Sequence, residues 1–389
     1  HNDVFSVQVS DGLGGVDTQL VTVTITGSND APVLSFVTGN DAGAVQEDTT
    51  LSVSGQFSST DIDHDATATW SIAGSNTGTF GSIAVDSNGQ WTYTLANGTD
   101  GVASAVQALK AGESHNEVFS VQVSDGLGGV DTQLVTITVT GSNDAPVLSF
   151  ATGNAAGAVQ EDTTLSVSGQ FSSTDIDHDA TATWTIHGAS TGTYGSIAVD
   201  SNGQWTYTLA NGTDGVASAV QALKAGESHD DVFTVQVSDG LGGVDTQLVT
   251  ITVTGTNDAP TVTATEVESG AVNEDGTTLA SGSFAFGDVD LADHAHVASV
   301  SAPSGALGTL VASVSDESTG DAAGSVGWSY TLNNSAAQYL AEGQTKTEVF
   351  TVTMTDDVGA TVTKDVTITL TGTNDRPTLT IDDTTGAMN

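Results

Sequence analysis

The chain contains no cysteine, so no disulfide staples its domains. It has only 5 Lys and Arg against 48 Asp and Glu in 389 residues, for a formal charge of −43. Phosphate binding needs Lys and Arg, so this shortage of cations excludes nucleic acid as a natural partner. It also argues against electrostatic docking to anionic lipid. No apolar run reaches the roughly 18 residues of a membrane span, and no membrane insertion is expected. His1 opens the chain without an initiator Met or a signal-like segment, so the chain reads as a window on something longer. Hydrophobic residues nevertheless make up 37%, enough for small cores and too much for a disordered acidic tail. Charge this unbalanced repels itself unless cations neutralise it.

Proline is scarce too, at 5, and its placement is informative. Gly-Ser-Asn-Asp-Ala-Pro stands at 27–32 and again at 141–146, Gly-Thr-Asn-Asp-Ala-Pro at 255–260, and Gly-Thr-Asn-Asp-Arg-Pro at 372–377. Asn29, Asn143 and Asn257 are 114 residues apart, and Asn374 follows after 117. A fixed period of this length marks a tandem domain array. The expected organisation is a C-terminal fragment of a preceding repeat at 1–28, repeats at 29–142 and 143–256, a divergent repeat at 257–373, and the start of a further repeat at 374–389. The first two repeats differ at 11 of 114 positions, including Asp41/Ala155, Ala73/His187 and Phe80/Tyr194.

Within a repeat the apolar residues alternate. Residues 4–9 and 20–25 alternate on either side of Asp-Gly-Leu-Gly-Gly and read as a β-hairpin, which is marginal alone in water. In the first full repeat, 32–36, 50–53, 68–72, 83–85, 91–95, 118–123 and 134–140 read as strands. Asn88-Gly89 between alternating runs is a hairpin turn. The segment 102–110, apolar at Val102, Val106 and Leu109, reads as the one helical piece. Seven or eight short strands with frequent turns predict an all-β chain, a tandem array of immunoglobulin-like antiparallel β-sandwiches. Trp70 and Trp91 alternate with other apolar residues and are expected in the core rather than as sugar platforms.

Acidic groups recur in each full repeat at corresponding places. The first is the joint itself: Asn29-Asp30, Asn143-Asp144, Asn257-Asp258 and Asn374-Asp375. The second is Asp-x-Asp: Asp61 and Asp63, Asp175 and Asp177, Asp288 and Asp290. The third is the Asp that follows a strand: Asp125, Asp239 and Asp356. The fourth is an acidic pair that opens with Glu47, Glu161 or Glu274. Acidic residues also solvate loops and favour turns without binding anything. Recurrence around the divergent third repeat favours ligation over solvation, whereas Asp41 and the pair Asn116-Glu117 (Asp230-Asp231 in the next copy) drift and read as ordinary surface charges. Calcium takes six to eight oxygens in a flexible shell, so it is the expected ion. His64 and His178, inside the acidic loops, are weaker candidates for a transition metal, because Leu291 stands there in the third repeat. Asn97-Gly-Thr and Asn211-Gly-Thr match a glycosylation pattern that is read as coincidence.

The run 123–146, from Val-Ser-Asp-Gly-Leu-Gly-Gly to Gly-Ser-Asn-Asp-Ala-Pro, resembles the end of a VCBS-type repeat of large bacterial RTX-type surface adhesins. It is also similar to cadherin-like modules, whose joints carry an Asp-x-Asn-Asp-x-x-Pro-type sequence. The resemblance covers essentially the whole chain and is most specific at this motif. It implies calcium-binding sandwiches used in tandem, at the bacterial cell surface or outside it, after type I secretion. It also implies a ligand assembly. Glu47 would meet Asn143, Asp144, Asp175, Asp177 and Asp239. Glu161 would meet Asn257, Asp258, Asp288, Asp290 and Asp356, and Glu274 would meet Asn374 and Asp375. The full Asp-Arg-Glu-type ligand motif of cadherins is missing, and the joint is shorter.

These readings point to a calcium-rigidified spacer that projects adhesive domains, with neighbouring repeats and calcium ions as partners. The alternatives are a direct carbohydrate- or cell-binding module, through the divergent third repeat around 301–324, and a glycosidase with paired carboxylates. The acidic groups recur three times at interdomain positions, which suits structure better than a single catalytic cleft, so no enzyme is expected. The orphan hairpin leaves strand edges open to lateral or end-to-end self-association.

Overall fold

The computed structural model describes residues 1–262 and 268–380; the last nine residues of the expected fourth unit lie outside them. Alternating apolar residues form strands throughout. β1 (Asn2–Ser10) and β2 (Val16–Thr24) pair antiparallel. Their turn is fixed by Asp11, whose Oδ1 accepts the N–H groups of Leu13 at 2.8 Å and Gly15 at 2.9 Å. Both faces of the hairpin are exposed, with Phe5 at 54% and Val9 at 67%, so it has no core of its own.

The first full repeat contributes β3 (Val33–Phe36), β4 (Ala42–Gln46), β5 (Ser52–Thr60), β6 (Thr69–Ala73), β7 (Gly81–Val85), β8 (Gln90–Leu95), β9 (Ser114–Ser124) and β10 (Val130–Thr140). They form two four-stranded sheets in the orders β3-β5-β8-β7 and β4-β10-β9-β6. All neighbours are antiparallel except β4 and β10, which run parallel. Alternate residues of both sheets bury Phe57, Ile83, Trp91, Tyr93, Val121, Val135 and Ile137 between them. Trp91 lies across Gly55, where a Cβ would fall 2.5 Å from the indole ring. Gly169 under Trp205 and Gly282 under Trp328 repeat this close approach. Trp70 packs against the same core, half-buried.

The second repeat builds the same pair of sheets, and so does the third, where the strands Gly308–Asp316 and Gly324–Leu332 are longer than their counterparts. The chain divides into two units. One holds residues 1–147 with two loops of the second repeat, 173–183 and 238–245; the other holds the remaining described residues.

Two expectations are corrected here. Residues 102–110 are a series of turns, not a helix. Their periodic Val106 and Leu109 are buried, but the backbone closes tight turns, with the Gln107 N–H on Ser104 Oγ at 3.1 Å and the Leu109 N–H on the Val106 carbonyl at 2.9 Å. Among the described residues the one α-helix is Asn334–Ala337, in the third repeat. Glu117 and Asp231 are not surface charges either. Each is buried and accepts a tyrosine hydroxyl, Tyr93 at 2.6 Å and Tyr207 at 2.7 Å.

Candidate metal centres

Three loops at one end of each sandwich carry the recurring aspartates, and their geometry is the same in all three repeats. In the first, Asn29 Nδ2 donates to Asp125 Oδ2 at 2.7 Å, the Asp30 N–H to Asp63 Oδ2 at 2.9 Å, and the Asp63 N–H to Asp61 Oδ1 at 2.9 Å. In the second, Asn143 donates to Asp239 at 2.7 Å, Asp144 to Asp177 at 3.1 Å, and Asp177 to Asp175 at 3.0 Å. In the third, Asn257 donates to Asp356 at 3.0 Å, Asp258 to Asp290 at 2.9 Å, and Asp290 to Asp288 at 3.1 Å. The turn after the strand holds the third aspartate as well, for example Asp239 Oδ1 under the N–H groups of Leu241 and Gly243. Backbone and amide donors therefore orient the carboxylates, one such donor at Asp177 and several at the strand-end Asp239 and Asp356.

The acidic pair sits at the opposite end of each sandwich. Glu47 is fully buried; its Oε2 accepts the Ser142 N–H at 2.9 Å, and its Oε1 is buried without a hydrogen-bond partner. Glu161 repeats this with the Thr256 N–H at 2.9 Å. Asp48 adopts a left-handed backbone (φ 58°), a conformation that aspartate takes up more readily than most residues. Asn97 clamps it, accepting the Asp48 N–H at 3.0 Å and donating to its Oδ1 at 2.7 Å. Asn211 does the same for Asp162, and Asn334 for Asp275.

The two ends meet at the joints. At the first joint, carboxylate oxygens of Asp48, Asp100 and Asp144 lie within 4.8 Å of one another, in a cleft that Asn143 and Asp175 also line. At the second, Asp162, Asp214 and Asp258 form the corresponding cluster. A further cluster there joins Asp288, Asp293 and Asp356. The backbone crosses each joint directly. The His178 N–H donates to the Ala108 carbonyl at 3.2 Å, and the Leu291 N–H to the Ala222 carbonyl at 3.3 Å. Two of the five basic residues bridge the joints as well, Lys110 to Asp179 at 3.9 Å and Lys224 to Asp357 at 3.8 Å.

Electrostatics set these groups apart. Burial, then the charges of Asp48, Asp177 and Asp100, pushes Glu47 up to about 7, against the Ser142 hydrogen bond. Burial also raises Asp144 to about 7, with Asp100 and Glu47 adding to it. Glu161 and Asp258 rise to about 7 and Asp290 to about 8, each mainly through burial. Asp239 and Asp356 go the other way, because donors from Asn143 or Asn257 and the backbone outweigh burial. Buried oxygens without a hydrogen-bond partner include Glu47 Oε1, Asn143 Oδ1, Asp144 Oδ2, Asp175 Oδ2 and Asp177 Oδ1 at the first joint, and Glu161 Oε1, Asn257 Oδ1, Asp258 Oδ2 and Asp290 Oδ1 at the second. An uncompensated buried carboxylate is costly by several kcal/mol. An all-oxygen set of this kind fits a hard divalent cation, calcium above all.

Not every expected group is gathered. Asn374 and Asp375 are exposed, and among the described residues no cluster of three acidic ligands forms beside Glu274, whose Oε1 is buried and without a hydrogen-bond partner. Asn29, Asp30, Asp61, Asp63 and Asp125 keep the loop geometry, and among the described residues they join no cluster of three acidic ligands. His64 is almost fully exposed, and His178 joins the Ala108 carbonyl and Glu113; neither belongs to a described acidic cluster. Asp100 and Asp214 were not among the ligands expected from sequence, nor were Asp48 and Asp162 as ligands in their own right. Asp100 and Asp214 follow the Asn-Gly-Thr triplets, and that motif, whose Asn clamps the acidic pair, was the available signal.

The bacterial cadherin-like domain family matches the chain twice, over residues 29–141 and 143–255. A calcium-binding lectin, RapA2 of Rhizobium johnstonii, is 27% identical over 194 residues, covering 46% of this chain and 74% of the lectin. Among solved structures, mouse cadherin-23 EC22-24 is similar at 13% identity and a TM-score of 0.46, covering 89% of this chain and all of that one. Protocadherin gamma B2 extracellular domains 1-5 is similar at 16% identity and the same TM-score, covering 97% and 66%.

Proposed function

The chain belongs to the bacterial cadherin-like domain family, and from that premise we propose that it is a calcium-rigidified spacer of a bacterial surface adhesin. The observation that carries the reading is the meeting of carboxylates from successive repeats with buried oxygens that nothing hydrogen-bonds. Glu47, Asp48 and Asp100 would hold one side of an ion at the first joint, and Asn143, Asp144, Asp175, Asp177 and Asp239 the other. Glu161, Asp162 and Asp214 would do so at the second, opposite Asn257, Asp258, Asp288, Asp290 and Asp356. Bound calcium supplies positive charge at these clusters. The chain's own residues orient the carboxylates, exclude water from Glu47 and Glu161, and join the repeats through backbone hydrogen bonds.

Without the ion, the clustered charges repel and each joint loosens. With it, ligands from two repeats are fixed together, and binding to the ordered state alone stabilises that state by linkage. Near-identical adjacent repeats suit a spacer, where length matters more than surface diversity. The similarity to a calcium-binding lectin supports an adhesive, extracellular setting. Export by type I secretion and membership of the VCBS-type repeats of RTX adhesins belong to the same reading, which the motif at 123–146 supports. Calcium titration of the chelator-treated chain by calorimetry tests it: saturable uptake in the 10⁻⁶ to 10⁻³ M range, on the order expected of calcium modules, together with a rise in melting temperature. Absence of both would refute it.

A second reading is favoured by the lectin relative alone: direct carbohydrate binding through the third repeat around 301–324. Glycan-array binding by the whole chain, lost on substitution in that segment, would support it.

A further inference from the structure

The loop after Asp-x-Asp makes the same turn in all three repeats. The residue three positions beyond the second Asp donates its N–H back to that Asp's carbonyl, Ala66 to Asp63 at 3.4 Å, Ala180 to Asp177 at 3.3 Å, and Asp293 to Asp290 at 3.0 Å. The position is therefore structurally equivalent, but alanine holds it twice and aspartate once. In the first two repeats the acid stands one residue earlier, as Asp65 and Asp179, with side chains 86% and 79% exposed. In the third repeat Ala292 takes that place, and the carboxylate has moved inward to Asp293.

Asp293 is fully buried, and both its oxygens lack a hydrogen-bond partner. One of them lies within 4.8 Å of carboxylate oxygens of Asp288 and Asp356, which are also buried. The nearby lysine, Lys224, is paired with Asp357 at 3.8 Å, and His294 faces the same Asp357 at 3.3 Å. Asp288 has its own support. Buried His296 places Nε2 3.1 Å from Asp288 Oδ2 and Nδ1 2.8 Å from Glu317 Oε2. Such an outer partner fixes the orientation of a metal-binding carboxylate. Three buried carboxylates, one with no donor on either oxygen, form a site for a divalent cation that prefers oxygen.

We propose that Asp293 adds a carboxylate ligand to the calcium position at Asp288 and Asp356, where the first joint has Ala180 instead, and that the second joint therefore fills before the first. The proposal rests on the reading of the joints as calcium sites and makes them unequal in affinity. More carboxylates per ion tighten a calcium site.

The test uses the whole chain, its Asp293→Asn variant and, as a control, Asp179→Asn. Calorimetric calcium titration of the native chain should resolve a tight class and a weaker one. Asp293→Asn should remove one ion from the tight class or weaken it by about tenfold or more, while Asp179→Asn leaves that class unchanged. Melting separates ligation from packing: in chelator Asp293→Asn should melt no lower than the native chain, and in calcium it should melt lower. A tight class that survives Asp293→Asn, or equal destabilisation with and without calcium, would overturn this proposal and leave the joint reading standing. No calcium uptake by the native chain would overturn both.

Discussion

In the proposed reading, calcium dependence turns on Glu47 and Glu161. Each is buried beside other carboxylates, with one oxygen on a backbone N–H and the other without a hydrogen bond. Burial raises both from 4.5 to about 7, so the calcium-free fold binds more protons than the unfolded chain between these values. Stability contributed by the protonated groups is full below about 4.5 and is lost as pH rises through about 7. In chelator, the melting temperature should therefore be higher at pH 5 than at pH 8, and Glu161→Gln should flatten that slope. A slope unchanged by the substitution would assign the effect to the general acidity of the chain. In calcium the dependence reverses, because protons compete with the ion: affinity should fall as pH drops below about 7. Glu161→Gln should weaken calcium at the second joint by about tenfold or more, as titration calorimetry would show.

At the scale of the element, the sandwiches depend on close packing that leaves no room for a methyl group at Gly55, Gly169 and Gly282. Gly169→Val should push Trp205 aside and destabilise the second sandwich by about 1–3 kcal/mol. Denaturant unfolding in chelator would measure this, and an unchanged midpoint would remove the packing argument. Most strands were legible, because Trp91, Tyr93 and Leu95 or Val121 and Val123 alternate without interruption. β4 was not, since Ala-Gly-Ala-Val-Gln buries only Val45 and carries no alternating signal strong enough to read. Its parallel pairing with β10 depends on a tertiary neighbour that local pattern does not encode. The false helix at 102–110 has a similar origin: buried Val106 and Leu109 satisfy a helical period while the Ser104 side chain and successive turns hold the backbone otherwise.

At the scale of the whole chain, the proposed function lies in the joints. The Asn-Asp-x-Pro loops, with Asp-x-Asp and the strand-end Asp, were readable because one short motif orients them and recurs. Asp100 and Asp214 were harder to read, because they come from the preceding repeat and join Asp144 and Asp258 only through the fold. Asp293 was hidden because it breaks the repeat rather than following it. Rigidity of successive joints is the central claim, and small-angle scattering of the whole chain tests it most directly, in millimolar calcium and after chelation. The account predicts a single sharply defined maximum dimension with calcium, and a broader, shorter distribution without it that calcium restores. The same distance distribution in both conditions, with the same melting temperature, would contradict it.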